Sequence, residues 1–155
     1  MAVSVGFAAV LCAVMEPATA FASIALAAVF WDGRLTMAGS RALRHSLDYR
    51  QPFSSYDDAT MVGMMDGLVA TLRHKGAQHM MVEAADVLQP SQRRTAFTVA
   101  AEIMRSDGVY QDDELNILSN LAGVLELEDG FTTEVMRVMD ALHADLTPAQ
   151  KLSSL

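Results

Sequence analysis

Asp107, Asp112, Asp113 and Glu114 bring four carboxylates into eight positions of the stretch EIMRSDGVYQDDELNIL, residues 102–118. Hard divalent cations need several oxygens within reach, ideally two or more carboxylates with carbonyls and water. Asp107 stands in an Asp-Gly turn, and Gly108 lets the backbone bend sharply and offer a carbonyl. Asp112 and Glu114 follow where the pattern predicts the start of a helix, so the three could converge across the loop. Ca²⁺, Mg²⁺ or Mn²⁺ would suit such an oxygen set, and Zn²⁺ would suit it less well. The spacing is not that of an EF-hand. The same acids also suit an ordinary helix start, where negative charge against the macrodipole is worth about 0.3–1 kcal/mol per residue. Asp107 could simply close its own turn. On the residues alone both readings stand.

A second Asp-Gly turn, Asp32-Gly33, lies 75 residues earlier. At that offset Phe21, Ile24, Ala25 and Ala28 fall opposite Ala96, Val99, Ala100 and Ile103, and Leu43 falls opposite Leu118. Each copy reads as apolar helix, Asp-Gly turn, amphipathic helix. Two diverged halves, about 16–75 and 76–155, are expected to be related by a pseudo-two-fold that brings both turns to one end of a bundle. The copies differ where chemistry is concerned. Gly39 stands opposite Glu114, and the first loop, DGRLTMAGSR, has lost the acidic helix start and gained Arg34 and Arg41. The expectation is one full acidic loop, with Asp32 donated to it from the other copy.

Other candidates are weaker. His79 and Glu83 are spaced i, i+4, with His74 nearby, a spacing open to a transition metal or to a plain surface hydrogen bond. His45 and His143 are isolated. Most of the 11 methionines fall on apolar stripes and are expected in the core, although methionine also suits adaptable interfaces. Trp31 is expected to pack beneath the first Asp-Gly turn. No nucleophile–base constellation, Gly-rich phosphate loop or basic-aromatic strip can be placed, so the chain reads as non-enzymatic. The single Cys12 gives neither a disulfide within the chain nor a dithiol centre.

These residues need helices to position them. Apolar residues make up 52% of 155 and aromatics only 6%, which with abundant Ala, Leu, Val and Met favours an all-α bundle with one core. Met61, Met65, Leu68, Val69 and Leu72 keep helical spacing, and Phe131, Val135, Val138, Met139 and Leu142 repeat it. Shorter stripes run through Ala77–Leu88, Phe97–Met104 and Leu118–Leu125. Pro17 suits a helix start; Ser55 and Ser91 are candidate caps, and Thr147-Pro148 opens a short final helix. Residues 1–15 read as an apolar helical extension preceding a single domain over 16–155. With no Lys or Arg before Arg34 they lack the basic end of a signal peptide, and fifteen apolar residues are fewer than the roughly 20 of a membrane span.

The net charge of −8 falls wholly on residues 76–155, with five Lys/Arg against thirteen Asp/Glu. Such a surface repels phosphate backbones, so cations or basic proteins are expected partners and nucleic acid is not. Solubilising charge alone would explain the asymmetry equally well.

The stretches AFASIALAAVFWDG and AFTVAAEIMRSDGVYQDDELNILSNLAGVL resemble the TerB family, named for bacterial tellurite-resistance clusters. The likeness covers about residues 16–145, and its specific part is the second motif, where Asp-Gly, an acidic helix start and a Leu-rich face occur together. It implies about seven helices with internal duplication and an acidic surface for divalent cations. It also implies a role in metal and tellurite stress response within membrane-associated protein assemblies. A cytoplasmic protein, at most peripheral to the inner face of the membrane, is expected from it. The alternative is a metal-free protein–protein scaffold, with a homodimer open in either case.

Overall fold

The structure, a computed structural model, describes residues 15–34 and 36–147. Among these, seven α-helices follow one another without a strand: α1 (Pro17–Val29), α2 (Met37–Asp48), α3 (Asp58–Lys75), α4 (Ala77–Val87), α5 (Pro90–Arg105), α6 (Asp112–Val124) and α7 (Asp129–Leu142). A short 3-10 turn at Phe53–Ser55 precedes α3. The all-α expectation holds. The helices expected over the N-terminal extension and from Thr147 onward fall on residues 1–14 and 148–155, outside the described residues, as does Cys12.

The core is built around α1. Every residue from Ala20 to Ala28 is buried, which is the pattern of a helix covered on all sides. Its alanines explain how. Ala22, Ala25 and Ala27 are wholly enclosed, and their short side chains let α4 and α5 pack closely against it while α2, α3 and α6 cover the rest. Pro17 starts α1 where a missing amide costs nothing. The predicted stripes on α4, α5 and α6 are the buried ones, through Met80, Met81, Phe97, Ala100, Leu118 and Leu121. Five methionines lie in the core, and Met37 is the exception, at 71% exposed.

Three local expectations are corrected. Ser55 does not cap α3: Asp57 does, accepting the amide of Thr60 at 2.7 Å, while the Ser55 hydroxyl turns back to Gln51. Ser91 does not cap α5, because Pro90 is already helical and Gln89 closes a reciprocal box with Gln92. On α7, Val138 and Leu142 are 48% and 60% exposed rather than buried. That helix lies chiefly against α5 and buries only the narrow face of Val135 and Met139.

Candidate functional site

The two Asp-Gly turns follow α1 and α5, which pack against each other. The same register holds on the far side of each turn. α2 begins at Met37 and α6 at Asp112, with Thr36 and Gln111 as the respective N-caps, so the 75-residue offset relates both helix starts. The correspondence stops beyond α2, since α3 would map onto 133–150 whereas α7 spans Asp129–Leu142. Gly33 and Gly108 both take positive φ, +75° and +136°, conformations that a side chain would strain.

Between the turns opens a cleft of about 370 Å³. Asp32, Arg34, Trp31 and Thr36 line one wall, and Asp107, Val109, Asp113 and Glu114 line the other. Ile103, Met104 and Ile117 form part of its floor. Four carboxylates therefore face one guanidinium, and the cleft is net negative. Asp112 does not line it, although it lies in the first turn of α6 beside Asp113 and Glu114.

The carboxylates differ in what already holds them. Glu114 accepts the amide of Gln111 at 3.0 Å and completes a capping box with it, so the helix-start reading of this residue is borne out. Asp113 accepts the amide of Glu114 at 2.9 Å. Asp32 accepts the amide of Arg34 at 3.0 Å, closing its own turn. Asp107 and Asp112 are exposed, and no other described residue donates a hydrogen bond to either of them. Both turns share a backbone bond, from the Gly33 amide to the carbonyl of Phe30 and from the Gly108 amide to the carbonyl of Arg105. Among the described residues, no three His, Cys, Asp or Glu side chains converge closely enough to hold a metal ion.

Gly39 takes the place of the missing acid in the first copy and sits in a confined position. It is buried, its amide donates to Thr36 Oγ1 at 2.9 Å, and a Cβ there would stand 2.9 Å from that oxygen and 3.3 Å from Val29. A glutamate here would press its Cβ against Val29 of α1.

No family model, curated protein or solved structure matches the chain.

Residues that the sequence patterns did not single out complete the surroundings. Arg105, 8% exposed, reaches Asp140 of α7 at 3.1 Å, and the Tyr110 hydroxyl donates to the carbonyl of Ala101 at 2.7 Å. Burial, with Asp140 nearby, pushes the Tyr110 phenol well above its ordinary range and keeps it a neutral donor. These contacts fix the second turn to α5 and α7 from both of its ends. Trp31 lines the cleft and is 39% exposed, so it does not pack beneath its turn as expected. Away from the cleft, His79 Nε2 lies 3.1 Å from Glu83, which also meets Lys75, so the surface hydrogen bond is the reading that fits.

Among the described residues, no helix is long and apolar enough to cross a membrane.

Proposed function

We propose that this chain is a non-enzymatic, TerB-like helical domain that holds a divalent cation, Ca²⁺, Mg²⁺ or Mn²⁺, between its two Asp-Gly turns. In this reading it serves a bacterial metal or tellurite stress response as one part of a cytoplasmic protein assembly. The observation that carries the reading is the convergence of two turns 75 residues apart on one acidic cleft. Asp32 and Asp107 supply oxygens from opposite walls. Glu114 supplies the carboxylate oxygen that its capping bond to Gln111 leaves over, and Asp113 the same beside it. Asp112 shapes the local field without contributing a ligand. The carboxylates are spread apart, so binding draws exposed side chains inward by rotation about their own bonds. Carbonyls of the turns and water complete the oxygen set that such ions require.

Calorimetric titration of the chelator-stripped protein with Ca²⁺, Mg²⁺, Mn²⁺ and Zn²⁺ tests this directly. Saturable heat is expected with one of the first three, and its loss in an Asp107→Asn, Glu114→Gln variant. Identical curves for the two proteins would remove the reading.

A second reading, a metal-free interaction scaffold, is favoured by the apolar residues of the cleft. Trp31 and Val109 are 39% and 70% exposed near four carboxylates, a surface suited to a basic, partly apolar protein segment. Capture of a native partner that is unchanged by chelator and lost in Val109→Asp would favour the scaffold over the cation.

A further inference from the structure

At the opposite end of α1 from the Asp-Gly turn lies a second cavity, of about 270 Å³. α1 contributes Pro17, Ala18 and Phe21, the chain before α3 contributes Arg50, Gln51, Pro52 and Phe53, and Leu88, Gln92 and Thr95 close it. Phe21 and Phe53 meet with ring centroids 6.2 Å apart, so an apolar wall stands beside a cation. The Arg50 guanidinium lies 5.3 Å from the Phe21 centroid and 5.9 Å from that of Tyr49, which holds it in place. Its Nε is buried without a hydrogen-bond partner, and no acidic side chain lines the cavity. Arg93 and Arg105, the other well-covered arginines, each have a carboxylate partner.

The neighbouring amides are polarised the same way. Gln51 Oε1 accepts the Ser55 hydroxyl at 3.1 Å and Gln92 Oε1 accepts the Gln89 amide at 2.8 Å. With both oxygens engaged, each carboxamide has its NH₂ group left to donate. The Thr95 hydroxyl already donates to the Ser91 carbonyl at 3.1 Å. One arginine and two carboxamides, each with an NH₂ group left to donate, therefore stand among the residues that line an apolar hollow.

We propose that this cavity is a binding site for a small monocarboxylate with an apolar body. A carboxylate only accepts, and its planar pair of oxygens matches the guanidinium fork. One arginine balances one negative charge, whereas a phosphate dianion would remain uncompensated in a protein of net charge −8. The aromatic and aliphatic walls need an apolar body to cover them. A volume just below the ~300–1,000 Å³ of ordinary ligand pockets limits that body to about the size of one ring. The site is independent of the cation cleft and uses none of its residues.

Ligand-observed NMR and calorimetry on the full chain test the proposal with benzoate, benzylamine and inorganic phosphate as probes. Benzoate is expected to bind saturably, and at least tenfold more weakly to Arg50→Gln and to Ala18→Leu, which fills the hollow while sparing the arginine. Benzylamine and phosphate are expected not to displace it. Circular dichroism checks that both variants remain folded; if Arg50→Gln unfolds, Ala18→Leu still decides. Absent benzoate binding, equal binding to a folded variant, or displacement by phosphate as strong as by benzoate would each overturn the site.

Discussion

Glu114 can serve the fold and a ligand at once, because its capping bond to Gln111 uses only one carboxylate oxygen. Glutamine at this position can still return that bond. Glu114→Gln should therefore alter stability by no more than about 0.5 kcal/mol in denaturant titration while weakening cation binding. Asp107→Asn should be equally quiet in stability, since no described residue donates to that carboxylate. A large loss of stability in either variant would mean that the acids serve the fold first. Gly39 behaves in the opposite way. Gly39→Glu, which would restore the acid of the second motif, should cost about 1–3 kcal/mol, because its Cβ meets Thr36 and Val29. Denaturant midpoints check this, and an unchanged midpoint would refute the tight approach of α2 to α1. The gap in the first motif was visible in the sequence; the confined position of Gly39 was not, because it depends on how closely two helices approach.

Helix caps show how far local pattern reaches. The expected caps Ser55 and Ser91 are good capping types, yet Asp57 and Gln89 hold the positions. At α5 the proline decides, since its fixed φ suits the first helical residue and places the cap just before it. At α3 the Phe53–Ser55 turn draws the Ser55 hydroxyl to Gln51, two residues before the helix cap. The Thr60 hydrogen bonds hold the Asp57 carboxyl below its ordinary pKa. A depressed carboxyl contributes stability that is present above its unfolded pKa of 3.8 and is lost as pH falls through the lower folded value. Asp57→Ala should accordingly lower the thermal midpoint at neutral pH, with the difference from wild type closing in acid below that value. Ser55→Ala should leave the midpoint nearly unchanged throughout. The reverse ranking would contradict the capping assignment.

At the scale of the whole molecule, the 3.6-residue stripes of α4, α5 and α6 foretold which faces meet, whereas α3 buries only Met61 and Leu68 of its stripe and leaves Met65, Val69 and Leu72 half-buried. On α7, Val138 and Leu142 stay exposed, since that helix lies chiefly against α5. The meeting of the two turns was legible from the 75-residue offset. Their actual cleft, with Arg34 and Trp31 in its wall and Asp112 outside it, was not, because it depends on side-chain direction at the ends of four helices. α1 sets that geometry through its alanines. Ala25→Leu should cost about 1–3 kcal/mol by forcing α1 from its neighbours, read as a lower denaturant midpoint. It should also weaken cation binding although it touches no carboxylate. Unaltered binding in the folded variant would detach the cleft from the packing of α1.

The central claim is that one cation sits between two turns, and paramagnetic Mn²⁺ tests it through the amide signals of the full chain. At substoichiometric Mn²⁺, selective broadening of Gly33 and Arg34 together with Gly108 and Gln111 is expected, reversed by chelator and absent in Asp107→Asn, Glu114→Gln. Broadening confined to one turn, centred on His79 and Glu83, or spread evenly over the acidic surface would contradict it.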